Sequence, residues 1–494
     1  MLKQTQINYM VTLEEPRLLE YLKNRDLSEL LSIQSDLKKH LNFGENLSPK
    51  NKNDIASTLV YIEAIINGLS QAEDINPDEE FINISQFKPL SSNELIETLG
   101  LTIKKDEINR LLTFLAHLSA YTEESQLNIS FNAPSSSGKS YIPMEISRLF
   151  PEKDVIQVAY CSPTAFFHSH GTFNKEKQGY IVDLSKKILI FLDQPHTMLL
   201  QHLRPMLSHD KKEIQLKITD KSQKQGLKTK NIYLIGYPSV IFCTAGLTID
   251  EQEATRFLLL SPEINQEKLR EGILEKIKKD SDRSSYLYNL EINSERKLLK
   301  DRIRAIKQES ITEINIVNPQ LVEHMFMKRI KKFKPKHQRD IGRITSLVKI
   351  FALLNIWFRE REEGALIAND EDIKDAFEIY DKISESQELN LPPYVFNLYK
   401  DIIVTLYKEK NNNELDSSPR GATRQEILKK HYQVYGRYLP DWQFRQQILP
   451  MLETSGLITQ EQDPNNKRTL LIYPTTQLTV SNRDEYSEPD GGVT

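Results

Sequence analysis

Residues 127–150 read LNISF-NAPSSSGKS-YIPMEISRLF, and this stretch decides the fold. A short apolar run typical of a strand leads into a loop of small residues, and a run with helical spacing follows. A phosphate-binding loop has this order, because a tight turn between strand and helix points its backbone N–H groups at phosphate oxygens. The order predicts a nucleotide-binding α/β domain, and the alternative is a serine-rich surface turn.

Each position of the loop has an expected role in binding ATP and Mg²⁺. Gly138 lets the backbone approach the phosphates, Lys139 reaches the β and γ phosphates, and Ser140 offers its hydroxyl to Mg²⁺. Ala133 stands where the usual pattern has its first glycine. The predicted nucleotide-binding residues of the loop are Ala133, Pro134, Ser135, Ser136, Ser137, Gly138, Lys139 and Ser140.

A second signal is KKILIFLDQPH, residues 186–196, which predicts a buried strand ending near Asp193. An acidic residue at this place can hold Mg²⁺ together with Ser140. The alternative is that Asp193 only caps the next helix. Gln194 follows where a glutamate usually polarises the attacking water. An amide orients water but cannot accept its proton, so another carboxylate, with Glu213 as a candidate, would have to substitute or hydrolysis would be slow.

Two further segments predict residues that act on the terminal phosphate. SVIFCTAG, residues 239–246, ends a strand with Thr244, which could sense the γ-phosphate or be a structural threonine. TRFLLLSPE, residues 255–263, places Arg256 before an apolar run. An arginine supplied to a neighbouring subunit stabilises the charge of the transition state, and the alternative is an exposed ion pair.

Length and composition indicate a protein of several domains. The 494 residues are 39 % hydrophobic and 27 % charged, with a formal net charge of -4, so any nucleic-acid contact must come from local patches. Two cysteines exclude a disulfide-stapled scaffold. The absence of an apolar window of membrane-spanning length predicts a cytoplasmic chain without membrane contact. The predicted segments are a helical region 1–125, an α/β core 126–262, a helical lid 263–405, a linker 406–420, a small domain 421–478 and a disordered tail 479–494.

The order of these motifs resembles the AAA+ ATPase core of minichromosome maintenance helicases, and more closely their bacterial relatives on mobile elements, over about residues 126–355. The resemblance implies a parallel sheet, a β-hairpin inserted within residues 213–239, and an Arg256-Phe257 arginine finger. It also implies a homo-oligomeric ring, expected to be a hexamer. In the family's second-sensor helix, matched by residues 336–354, Arg339 or Arg343 would reach the nucleotide.

Basic residues cluster in places that would suit nucleic acid. Between His209 and Lys230 there are seven lysines against three acids, and residues 328–343 carry eight Lys and Arg residues against one acid. Inside a ring, a basic hairpin could follow a phosphate backbone. The alternative for either cluster is a solvated surface. The hairpin lysines predicted to bind DNA are Lys217, Lys221, Lys224 and Lys228.

Residues 421–475 predict two helices and a hairpin, which look like a winged helix. Its second helix would present Arg445 and neighbouring glutamines to DNA, and Lys467 and Arg468 would lie on the wing. The alternative is a winged helix used for protein contacts.

Two functions follow from these predictions. The first is an ATP-dependent ring motor on DNA, a helicase or translocase in mobile-element replication or genome defence. The second is an ATP-binding switch or assembly factor with little hydrolysis, which Gln194 favours. A protein partner is expected at the helical amino-terminal region.

Overall fold

A computed structural model describes residues 82–220, 228–246, 255–330, 332–411, 420–464 and 466–475, together with single positions between 33 and 62. The chain divides into two units, Met1–Asn83 and Ile84–Thr494. In the first unit, the described positions between 33 and 62 are helical, and Leu37 and Ile62 are fully buried. The predicted tail 479–494 lies outside the described residues.

The described residues of the second unit form four sheets. Their strands are β1 (Ile129–Asn132), β2 (Val155–Val158), β3 (Thr172–Asn174), β4 (Gly179–Asp183), β5 (Ile188–Phe191), β6 (Glu213–Asp220), β7 (Lys228–Ile235), β8 (Ser239–Thr244), β9 (Leu258–Leu260), β10 (Ile314–Ile316), β11 (Arg361–Glu362), β12 (Ala365–Ala368), β13 (Ala422–Thr423), β14 (Ile458–Gln462) and β15 (Leu470–Pro474).

Helices connect and cover these sheets. They are α1 (Ser92–Leu99), α2 (Glu107–Ser119), α3 (Tyr141–Ser147), α4 (Pro163–Ser169), α5 (Thr197–Leu207), α6 (Gln266–Ser281), α7 (Arg283–Ile292), α8 (Ser294–Glu309), α9 (Pro319–Met327), α10 (His337–Leu354), α11 (Asp370–Glu388), α12 (Pro393–Leu398), α13 (Thr405–Asn411), α14 (Arg424–Tyr435), α15 (Asp441–Gln443) and α16 (Leu449–Thr454). Two π-helical segments, Tyr399–Val404 and Phe444–Ile448, join α12 to α13 and α15 to α16. Among the described residues, no helix combines the length and the apolar composition needed to span a bilayer.

The central sheet has five parallel strands in the order β2-β5-β8-β1-β9. The predicted α/β fold with a parallel sheet is therefore confirmed. Strands β1, β5, β8 and β9 are buried along their whole length, which explains their continuous apolar, β-branched sequences. Because the strands are parallel, all their last residues lie at one edge, called here the carboxyl edge, and all their first residues lie at the amino edge.

The predicted inserted hairpin is present, but it belongs to a larger sheet. Strands β6 and β7 pair antiparallel, with Lys217 opposite Asn231. Strand β4 then pairs parallel with β7, and β3 pairs antiparallel with β4, so the hairpin forms one side of a four-stranded sheet. Ile218 of β6 and Leu234 of β7 are buried in an apolar cluster that also contains Leu203 of α5.

Domain boundaries differ from those predicted. Helices α1 and α2, assigned from the sequence to region 1–125, pack in the same core as the central sheet, where Phe114 joins Phe131 and Ile241. The apolar face of these helices completes the core, which is why they belong to the second unit. The division after Asn83 reflects this packing.

The carboxy-terminal region starts earlier than its sequence suggests. Val395 and Ile402, predicted to lie in the lid, share one apolar cluster with Ile427 and Phe444. Helix α13 continues to Asn411 within the predicted linker, and residues 412–419 are outside the described part. We call residues 391–475 the carboxy-terminal unit. It consists of helices α12–α16 and a three-stranded antiparallel sheet, β13-β15-β14.

Candidate nucleotide-binding site

The loop between β1 and α3 has a backbone suited to anions. Ser136 and Gly138 have positive φ angles of 63° and 88°, so successive N–H groups turn toward a common concave side. A Cβ added to Gly138 would meet nothing within 4 Å, so its backbone angle and not a lack of space calls for glycine. Ala133 is fully buried and is not among the residues with positive φ, which explains why alanine replaces glycine there.

A polar atom without a partner lies within this loop. The Ser137 hydroxyl is buried and has no hydrogen-bond partner. An orphaned buried hydroxyl is costly unless a ligand completes it, and a phosphate oxygen would do so. The loop therefore suits a phosphate group in two ways. The Ser137 hydroxyl can donate a hydrogen bond to it, and the backbone has the shape that an anion needs.

The start of the loop is fixed by residues that the sequence analysis did not single out. Ser261, directly after β9, donates its hydroxyl to the Asn132 carbonyl at 2.6 Å. The Asn132 side chain donates to the Gly246 carbonyl at 3.4 Å, and the Ala133 N–H donates to the Thr244 carbonyl at 3.3 Å. In the sequence, the only feature that distinguishes Asn132 is that it is a polar residue in an apolar strand. These bonds join the loop to the end of β8.

Asp193, Gln194 and Thr244 are brought together at the carboxyl edge. Asp193 and Gln194 follow β5, and Thr244 ends the adjacent strand β8. The Thr244 hydroxyl donates to Gln194 Oε1 at 3.3 Å, and the Gln194 N–H donates to Asp193 Oδ1 at 2.8 Å. Because Thr244 lies opposite Asn132 in the strand pairing, the group stands beside the start of the loop.

A buried thiol shows that Lys139, Ser140 and Asp193 share one neighbourhood. Cys243 Sγ donates to the Lys139 carbonyl at 3.4 Å. Burial raises the pKa of this thiol to about 11, a hydrogen bond with the Ser140 side chain and the charge of Lys139 lower it, and the charge of Asp193 raises it. At neutral pH the thiol is therefore protonated.

The polar groups at this site are of the types that bind Mg²⁺. Magnesium in nucleotide sites is held by one or two carboxylates, by hydroxyls and by the phosphates of the substrate. The Asp193 carboxylate and the Ser140 hydroxyl supply oxygens of this type. Asp193 is exposed and Ser140 is half-buried, so both side chains have solvent access.

The suggestion that Glu213 replaces the missing glutamate is wrong. Glu213 begins β6 and makes a salt bridge with Lys177 at 2.5 Å. Its neighbour Lys212 accepts a hydrogen bond from Gly236, shortly before β8 begins. Glu213 therefore belongs near the amino edge, whereas Gln194 lies at the carboxyl edge.

Arg256 also lies at the amino edge, away from the loop of its own chain. It precedes β9, whose first residue Leu258 pairs with Ile129 at the start of β1. Its Nε donates to the Ser208 hydroxyl at the end of α5 at 2.9 Å. The phosphate loop follows the other end of β1, so Arg256 lies at the opposite edge of the sheet from the loop of its own chain.

The two arginines predicted in the second-sensor helix lie on α10. Arg343 Nη2 donates to the carbonyls of Thr255 and Phe257, each at 2.9 Å, so it stands beside Arg256 and within one chain does not reach the loop. Its Nη1 also pairs with Asp340 at 3.3 Å. Arg339 is exposed one turn earlier, on the same face of the helix.

The residues predicted to bind DNA are dispersed. Lys217 is exposed on β6, the backbone of Lys228 begins β7, and Lys221 and Lys224 lie outside the described residues. Arg445, Lys467 and Arg468 are exposed in the carboxy-terminal unit. Four of the eight basic residues of the second cluster form ion pairs within the fold, through Arg329–Asp381, Lys334–Glu388, Lys336–Asp340 and Arg343–Asp340.

Two solved structures are similar to part of this chain. An MCM homolog from Methanopyrus kandleri has a TM-score of 0.37 and 14 % identity, covering 61 % of this chain and 63 % of its own. A proposed ATPase from Cytophaga hutchinsonii has a TM-score of 0.31 and 12 % identity, covering 70 % of this chain and 98 % of its own. This chain thus spans less than two thirds of the MCM homolog. No protein-family model and no curated protein sequence matches.

Proposed function

We propose that the chain is an ATPase of the AAA+ type that binds Mg²⁺-ATP at residues 133–140. The observation that carries this proposal is the gathering of Lys139, Ser140, Asp193 and Thr244 at the carboxyl edge, around a loop with two positive φ angles. Lys139 would contact the β and γ phosphates, and Thr244 would sense the γ-phosphate. Mg²⁺, held through Ser140 and Asp193, would neutralise phosphate charge.

Complete catalytic sites would form between neighbouring chains. Arg256 would face the nucleotide of the next subunit, because it lies at the opposite edge from its own loop. Arg343 holds the backbone on both sides of Arg256, and Arg339 adds a further positive charge nearby on α10. This arrangement supports a homo-oligomeric ring, for which we propose six members.

DNA is the proposed substrate of the motor, which would act as a helicase or translocase in mobile-element replication or genome defence. The hairpin lysines Lys217, Lys221, Lys224 and Lys228 would follow the phosphate backbone. The carboxy-terminal unit would be a winged helix, with Arg445 on its second helix and Lys467 and Arg468 on the wing. The region before residue 84 would bind a protein partner. The protein would act in the cytoplasm.

Gln194 favours a second candidate, an ATP-dependent switch with slow hydrolysis. Its amide accepts a hydrogen bond from Thr244, and it can orient water without removing a proton. Such a protein would assemble on ATP and recruit partners.

The decisive experiment measures ATP hydrolysis by the purified full chain with and without single-stranded DNA. A motor predicts turnover that DNA stimulates and that Lys139→Ala abolishes. ATP binding that Lys139→Ala removes, with no DNA-stimulated turnover, would support the switch. Nucleotide binding unchanged in Lys139→Ala would refute the proposed site, and Lys429→Ala, which removes an exposed lysine elsewhere, is the control.

A further inference from the structure

The carboxy-terminal unit touches the phosphate loop and encloses a cleft with it. The cleft is about 180 Å³ in volume and is lined by Pro134 and Ser135 of the phosphate loop and by Ala245, which follows β8. Arg437, Tyr438 and Gln443 line it from the carboxy-terminal unit. Arg437 Nη1 donates a hydrogen bond to the Ser135 carbonyl. A positive side chain from a distant part of the sequence thus stands at a loop built for phosphate.

The position of Arg437 is fixed by its own backbone. Gly436 has a positive φ of 62° and ends α14, where its N–H donates to the Tyr432 carbonyl at 2.8 Å. His431 Nδ1 is 3.1 Å from the Arg437 carbonyl, and Nε2 is 2.9 Å from the Tyr394 hydroxyl. Since a carbonyl only accepts, Nδ1 must donate and Nε2 must accept. Burial lowers the pKa of His431 to about 4, so this neutral tautomer persists at physiological pH.

The location of the cleft identifies the part of the nucleotide that Arg437 would meet. Ala245 directly follows Thr244, whose hydroxyl contacts Gln194 beside Asp193. The terminal phosphate is expected on this side of the loop, because Asp193 would hold the Mg²⁺ that accompanies a bound triphosphate. The cleft adjoins Pro134 and Ser135 at the beginning of the loop, not α3 at its end.

The present partner of Arg437 is a poor match for its charge. A backbone carbonyl is neutral, and no carboxylate of the described residues forms a salt bridge with this guanidinium. A phosphate accepts two parallel N–H bonds from arginine, and such charge-assisted bonds are roughly twice as strong as neutral ones. A terminal phosphate would therefore compete well with the Ser135 carbonyl for Arg437.

We propose that Arg437 contacts the terminal phosphate of the nucleotide bound in its own chain, so that the nucleotide site is completed by the carboxy-terminal unit. This inference rests on the proposed ATP site and adds a residue to it. Arg437 exchanges the Ser135 carbonyl for a phosphate oxygen when a triphosphate binds. A diphosphate lacks that oxygen, so Arg437 distinguishes the two nucleotides.

The test compares the affinities for ATPγS and ADP by calorimetry with Mg²⁺ present and DNA absent. Arg437→Ala should weaken ATPγS binding by about tenfold or more and change ADP binding by less than about twofold, as expected for a lost charged hydrogen bond. Arg437→Gln should show the same selective loss, because glutamine can still donate to the Ser135 carbonyl but carries no charge. Lys429→Ala, which removes an exposed lysine from α14, is the matched control.

Three other outcomes would overturn the inference. Equal losses for ATPγS and ADP would mean that Arg437 only supports the loop. Normal ATPγS affinity in Arg437→Ala, while Lys139→Ala binds neither nucleotide, would remove Arg437 and leave the ATP site intact. Normal binding in Lys139→Ala would instead show that the ATP site itself is misassigned. Unfolding midpoints of all variants, measured alongside, identify any that fail to fold.

Discussion

At the scale of single residues, the proposed ATP hydrolysis depends on Gln194, which has an amide where a carboxylate is usual. Gln194 receives the Thr244 hydroxyl on its Oε1, and its own N–H binds Asp193. The side chain is therefore oriented, but it cannot act as a base. Glu213 was the one acidic substitute that the sequence offered, and its salt bridge with Lys177 places it elsewhere.

We predict that Gln194→Glu raises the rate of ATP hydrolysis by about a hundredfold, the lower end of the range for a positioned general base. Thr244 can still donate to the new carboxylate, so the geometry is retained. A coupled ATPase assay measures the effect, and Gln425→Glu on the exposed surface of α14 is the control. An unchanged rate would mean that water activation does not depend on residue 194.

At the scale of elements, α2 shows how packing decides what a helix does. Every residue from Asn109 to Ser119 is buried, so the helix is core rather than a docking surface. His117 lies in it with both ring nitrogens unpaired and packs against Phe150 at 5.3 Å between ring centroids. Burial lowers the pKa of His117 to about 3.

This helix gives a pH prediction. Above about pH 6.5, His117 is neutral in both folded and unfolded chains; below it, only the unfolded chain takes up the proton, until about pH 3. Stability is therefore present at neutral pH and is lost as pH falls, by up to about 1.4 kcal/mol per pH unit. In urea unfolding between pH 7.5 and 5, His117→Leu should show a shallower loss than wild type. The exposed His324→Asn is the control, and an identical slope for His117→Leu would contradict the prediction.

The sequence predicted individual strands and loops better than it predicted which of them pair or contact one another. Strands such as β5 and β8 are continuous apolar runs that only a sheet buried on both faces explains, and the structure confirms them. The pairing of β4 with β7 has no local sign, because the two strands are far apart in the chain. The loop residues were recognisable from their spacing, whereas Ser261 and Arg437 approach the loop only through the tertiary fold.

At the scale of the whole molecule, one sheet carries the two halves of the proposed shared site on opposite edges. Lys139 follows the last residues of β1, and Arg256 precedes the strand that pairs with its first residues. Replacing Lys139 would disable the loop half of the proposed shared site, and replacing Arg256 would disable its arginine half.

We predict that Lys139→Ala and Arg256→Ala are each inactive as pure proteins but regain ATPase activity when mixed. Some contacts in the mixture join a wild-type loop to a wild-type arginine, so turnover should exceed the sum of the separate rates. Arg256→Ala alone should bind nucleotide nearly as tightly as wild type. Arg270→Ala, an exposed position on α6, is the control to be mixed with Lys139→Ala. Absence of recovery would place Arg256 outside the catalytic site.

The phosphate loop and Arg256, the two halves of the proposed site, lie on opposite edges. Their positions also limit the symmetry with which copies of the chain can assemble. In a two-fold dimer, one patch of each copy would have to contain both the loop and Arg256, whereas these groups lie at opposite edges of the sheet. The proposed association therefore runs head to tail, and such a contact either closes on itself or continues as a filament. In an open row, the last loop and the first arginine stay unmatched, so n copies hold n − 1 working sites. Closure completes the missing site, and turnover per chain should therefore rise with protein concentration until the row closes.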